Sequence, residues 1–115
     1  MNIEQDIREH SLSILGKELK LIGDFHLKGE VHVYGELEGT IYFQPPGKLV
    51  IEQTGKIKGK INCDQIEIYG QVDGVIDAQG TLIIRSSGKL NGDFKAKNLS
   101  VYPGALLNSE GQTEV

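Results

Sequence analysis

Residues able to carry chemistry are few and scattered in this chain. Cys63 is its single cysteine, and His10, His26 and His32 are its only imidazoles. A cysteine nucleophile needs a base beside it, and a zinc site needs several Cys or His ligands at short spacings. The sequence supplies neither pattern. His32 lies between Val31 and Val33, so in a strand it faces outward, while Cys63 follows Ile61 by two residues and reads as a small core residue. Asp64, Asp73, Asp77 and Asp93 fall at corners or outward positions, where turn chemistry and solubility account for them. No Gly-x-x-x-x-Gly-Lys-Ser/Thr run offers a nucleotide cradle. Twelve Lys and Arg against 16 Asp and Glu leave no basic footprint for nucleic acid. These observations predict no catalytic residues, no metal, no cofactor and no nucleotide, and hence a protein that is not an enzyme.

What would position any site is a repeat. Gly55-Lys56-Ile57-Lys58-Gly59-Lys60-Ile61 has the shape Gly-x-apolar-x-Gly-x-apolar, which returns from Gly35, Gly70 and Gly88. Such repetition outranks local propensity in choosing a fold. The 115 residues make one small domain, and 15 glycines with no Trp argue against a conventional globular core. Short apolar-x-apolar segments align as Leu19-Lys20-Leu21, Val31-His32-Val33, Leu49-Val50-Ile51, Ile66-Glu67-Ile68, Leu82-Ile83-Ile84 and Leu99-Ser100-Val101. Their first residues are 12, 18, 17, 16 and 17 apart.

A period of about 17 residues is shorter than the helical repeats and suits one coil of a parallel β-helix. The expectation is therefore all-β: a three-sided solenoid of about six coils over residues 15–107. Leu37, Ile57, Val72 and Leu90 should stack as one interior column, and Ile41, Ile61, Ile76 and Phe94 as another. Glu38, Lys58, Asp73 and Asn91 should share an outward column, and Pro45-Pro46-Gly47 should form a turn.

Residues 1–14 read as a flexible N-terminal tail and 108–115 as a C-terminal one. Ile3 and Ile7 are four apart, as on one face of a short helix, and with Met1 they give the tail its candidate contact to a membrane or partner. Residues 15–107 hold 11 acids and 11 bases, whereas the tails hold five acids and one base. The body is neutral, so identical bodies do not repel one another strongly. One cysteine, no signal-like start and no long apolar run predict a cytoplasmic protein.

No amphipathic helix follows the last coil to cover it. The exposed apolar residues would be Leu99, Val101, Leu106 and Leu107 at the C-terminal end and Leu15, Leu19 and Leu21 at the N-terminal end. Open sheet ends template further pairing, so end-to-end self-assembly is the functional expectation.

The ordered set Ser13-Ile14-Leu15-Gly16, Leu21-Ile22-Gly23-Asp24-Phe25 and Gly29-Glu30-Val31-His32-Val33-Tyr34-Gly35-Glu36-Leu37-Glu38-Gly39-Thr40-Ile41, with the later Gly-x-apolar-x-Gly coils, resembles the bactofilins, bacterial polymer-forming cytoskeletal proteins. The resemblance covers residues 13–107. It implies a right-handed parallel β-helix and nucleotide-independent homopolymers. It also implies scaffolding of cell shape, envelope growth or protein localisation, with the inner membrane surface and envelope enzymes as partners. Bactofilins often have Phe where Leu107 stands here.

Two other classes use similar patterns. A left-handed hexapeptide acyltransferase would explain Val31, Leu37, Phe43 and Leu49 at strict sixes, but the series breaks at Gly55. A carbohydrate-active β-helix needs a longer solenoid with clustered carboxylates. A monomeric β-helical binding module, presenting one flat face to a partner, fits the same repeat.

Overall fold

The computed structural model describes residues 2–4, 11–14, 20–108 and 112–113. The strands are β1 (Asn2–Glu4), β2 (Ser11–Ile14), β3 (Lys20–Val33), β4 (Glu36–Ile51), β5 (Lys56–Ile68), β6 (Gln71–Ile84), β7 (Lys89–Val101), β8 (Leu106–Asn108) and β9 (Gln112–Thr113). All pairings are parallel, and β3 to β7 stack in chain order. Consecutive parallel strands normally need a long crossover, yet here only two or four residues separate them. The strands themselves therefore go round. Each of β3 to β7 is one turn of a solenoid, five turns rather than about six, with β1, β2, β8 and β9 as partial turns.

Three bends close each turn. The first is a glycine column, Gly23, Gly39, Gly59, Gly74 and Gly92, all at positive φ. Gly59 shows why: at φ 132° a Cβ would sit 1.9 Å from the carbonyl oxygen of Gly39 one turn below. The second bend absorbs differences in length through register shifts, the largest at Pro45 and Pro46, which have no counterparts in β3. At the third bend the corners are short at 34–35 and 69–70 and long at 52–55, 85–88 and 102–105. Glu52 and Arg85 carbonyls accept from Gly55 and Gly88 N–H at 2.7 and 2.8 Å. The corners 52–55 and 85–88 also fasten to the short ones below them, as Thr54 and Ser87 hydroxyls donate to the carbonyls of Tyr34 and Tyr69 at 2.7 and 2.8 Å.

Strand alternation then fills the interior. Leu37, Ile57, Val72 and Leu90 are all 0% exposed and stand in register, as do Ile41, Ile61, Ile76 and Phe94. A third column, Val33, Ile51, Ile68 and Ile84, is equally buried. Burying each such side chain contributes about 1.5–3 kcal/mol, which makes these columns the main source of stability. The outward column Glu38, Lys58, Asp73 and Asn91 is in register as expected.

Two alignments differ from the sequence expectation. Leu21 pairs with Leu37, on a different side of the prism from Val31, and the strand beside Val31 is β2, through Leu12. Within the segment read as a tail, Ile3 belongs to a strand and stands opposite Phe25 instead of lying on a helical turn. Met1, Ile7, Leu15 and Leu19 lie outside the described residues.

Candidate self-assembly surfaces

Two interior columns reach the last described turn with their side chains partly uncovered, whereas Phe94 and Ala96 on the remaining side stay buried. Val101 continues the Ile51, Ile68, Ile84 column and is 43% exposed, whereas Ile84 is 0%. Leu107 continues the Val72, Leu90 column and is 37% exposed, against 0% for Leu90. Leu99 and Ala105 pack partly against the core beside them. At the opposite end Leu21 is also a partly buried member of the core cluster. The C-terminal set thus brings together Leu99, Val101 and Leu107 but not Leu106. Leu106 is opposite Lys89 in an outward column and lies 57% exposed on the flank. In two adjacent strand residues only one faces inward.

The flanks differ in their electrostatics. On the 36–39 side, exposed charges interleave, for example Lys20 with Glu36 at 3.3 Å, and Asn91 and Gln71 amides donate to Asp73 at 2.9 and 3.1 Å. Burial alone would raise the Asp73 pKa, but those hydrogen bonds and the nearby Lys56 and Lys58 hold it below its ordinary value. On the 47–51 side the charges are locked into networks instead. Glu67, 8% exposed, receives Arg85 Nε at 2.5 Å and the Tyr69 hydroxyl at 3.0 Å. Arg85 Nη2 also pairs with Glu67. The Arg85 guanidinium lies over the rings of Tyr102 and Tyr69, with centroids 4.6 and 5.5 Å away.

His32 bridges Glu52, 2.6 Å from Nδ1, and Glu30, 2.8 Å from Nε2. Burial would lower its pKa, but the two carboxylates outweigh that and raise it above 6.5. Sequence reasoning placed His32 outward but missed its partners: Glu52 is a full turn away, although Glu30 is two residues back on the same outward face. His26 rests near the Tyr42 ring, with centroids 6.0 Å apart.

Cys63 is buried and donates to the Gln65 carbonyl at 3.3 Å. Burial pushes its thiol up to about 12, which suppresses the thiolate a nucleophile would need. Among the described residues no group of Cys, His, Asp and Glu is arranged to hold a metal ion. No described helix is long and apolar enough to cross a membrane.

Turns of near-identical outline, with an interior partly open at the last described turn, define a class of protein: a solenoid of stackable coils. The family follows from comparison. Residues 13–112 match the bactofilin model, described as polymer-forming cytoskeletal, and the chain belongs to the bactofilin family. It is 24% identical over 93 residues to bactofilin BacO of Myxococcus xanthus (strain DK1622), covering 81% of this chain and 72% of that protein. Its fold also matches, with a TM-score of 0.76, a cryo-EM reconstruction of Thermus thermophilus bactofilin double helical filaments. That match has 24% identity and covers 88% of this chain and 99% of the other.

Proposed function

We propose that this chain is a non-enzymatic cytoskeletal scaffold that stacks end to end into nucleotide-independent filaments in the bacterial cytoplasm, in support of cell shape, envelope growth or protein localisation. By likeness to the double helical filaments of the Thermus relative, two such filaments would wind about each other. One observation carries the proposal: identical columns are buried at Ile84 and Leu90 and open at Val101 and Leu107. Full burial of a Val or Leu contributes about 1.5–3 kcal/mol, so covering these two recovers about 1 kcal/mol each. Leu99, Val101 and Leu107 are the C-terminal contact and Leu21 part of the N-terminal one, where Leu15 and Leu19 also belong by sequence.

Negative-stain microscopy at micromolar concentration, with no added nucleotide, tests this directly. The wild-type chain forms filaments, while Leu107→Arg gives short soluble species with unchanged β-sheet circular dichroism, because a charge enters an apolar contact. Uniform wild-type monomers across salt conditions would overturn the scaffold reading, and normal polymerisation of Leu107→Arg would overturn the end assignment. Contact of Met1, Ile3 and Ile7 with the inner membrane surface completes the proposal. The pairing of Ile3 with Phe25 competes with it, and liposome co-sedimentation with and without residues 1–9 decides between them.

A further inference from the structure

The three flanks of the prism do not offer the same surface. The 36–39 and 40–44 sides mix exposed charges, Lys60, Lys89, Lys95 and Asp93 among them, with the exposed side chains of Ile22, Tyr42 and Val75. The 47–51 side has Ile83 partly exposed at its centre, while Val50 in the same outward column is already covered at 2% exposure. A depression of about 230 Å³ opens beside Ile83, lined by Lys48, Gln65, Glu67, Thr81 and Arg85. Along the adjoining corner runs a ladder in which Tyr34, Glu52, Tyr69, Arg85 and Tyr102 succeed one another turn by turn.

The charges of this flank neutralise one another: Arg85 and Lys48 against Glu67, His32 against Glu30 and Glu52. Docking against it would neither strand an unpaired charge nor need to order these side chains anew. Rigid Tyr and Arg around the partly exposed Ile83 are also the residue types that carry binding energy in interfaces.

We infer that this flank, from Tyr34 to Tyr102, is the lateral face along which two filaments of this chain pair; the inference rests on the end-to-end stacking proposed above. Repeat and area identify the occupant. The ladder recurs with the rise of the solenoid, and a second filament of the same chain presents a surface with that same repeat. Residues 20–108 hold ten acids and ten bases, so like surfaces approach without net repulsion. Six strands, β2 included, spaced about 4.8 Å apart and each with four residues at about 3.3 Å, make a face of roughly 400 Å². A stable interface needs about 800 Å² per partner. One copy is therefore too small to hold another laterally, whereas a filament sums many weak contacts. Pairing belongs to filaments and not to monomers.

Tyr34→Glu and Ile83→Lys place charge on this flank, away from the Leu107 end, and Lys60→Glu alters a different flank as a control. In microscopy of the full chain, wild type and Lys60→Glu give paired filaments. The two flank variants give single filaments of similar length, with the paired fraction reduced about tenfold or more. Leu107→Arg, with this face intact, sediments as monomer. Pairing that persists in both folded flank variants, an equal loss in Lys60→Glu, or lateral dimers of Leu107→Arg would overturn the assignment. Absence of filaments from wild type would instead remove the end-to-end reading on which it rests. Circular dichroism identifies a variant that fails to fold, and the other variant then decides.

Discussion

Ile84 and Val101 occupy the same column one turn apart, yet one is sealed and the other 43% exposed. Their chemistry is nearly the same, and the difference is whether a turn follows. Burial in this fold is a property of position in the stack more than of the residue. On the end-to-end stacking proposed above, an end residue that looks misplaced in isolation is an ordinary core residue awaiting a neighbour.

The contrast between sealed and open turns can be broken most severely from within. Gly59→Ala forces a Cβ to 1.9 Å from backbone in the middle of the stack, at a φ that L-residues rarely adopt. It should cost more than about 4 kcal/mol and abolish the cooperative thermal transition followed by circular dichroism. The comparison is sharpened by a matched pair. Ile84→Ala should destabilise by about 2–4 kcal/mol and Val101→Ala by less than about 1 kcal/mol in urea titrations of the unpolymerised chain. Equal losses would mean that the last turn is covered already.

The smallest effect comes from His32, on the flank. Only the imidazolium can donate from both ring nitrogens, to Glu52 and Glu30 together. With its folded pKa above the unfolded 6.5, its stabilisation is fully present below pH 6.5 and is lost as pH rises through the folded value. Wild type should exceed His32→Gln by less than about 1 kcal/mol below pH 6.5, and the gap should close on going alkaline in melts of the unpolymerised chain. A gap that widens at high pH would reverse the sign of the coupling.

Much of the interior was readable because alternation and glycine spacing are local. The columns through Leu37 and Ile41 needed only the repeat. Misreadings arose where one short pattern serves several sides. Leu19-Lys20-Leu21 has the same apolar-x-apolar shape as Val31-His32-Val33, but its interval of 12 instead of about 17 marks a different side of the prism. At Leu106 and Leu107 both residues are apolar, and only the turn from Tyr102 to Ala105, closed by a 3.0 Å hydrogen bond, sets which one points inward. The Glu67, Arg85 and Tyr102 network joins residues 17 and 18 apart, and no local pattern announces such a partnership.

The arrangement of turns also bears on mechanics. In a solenoid the backbone hydrogen bonds point along the axis while the covalent chain circles it. Tension along a filament therefore loads all the bonds between two turns together, so that none opens alone. Should they give way, a turn that spanned about 4.8 Å of axis can pay out as extended chain. The 17 residues from Leu90 to Leu107 would then reach roughly 60 Å. Within one chain such coils are stiff up to a threshold and then lengthen severalfold, whereas the non-covalent joins between chains set where a filament parts.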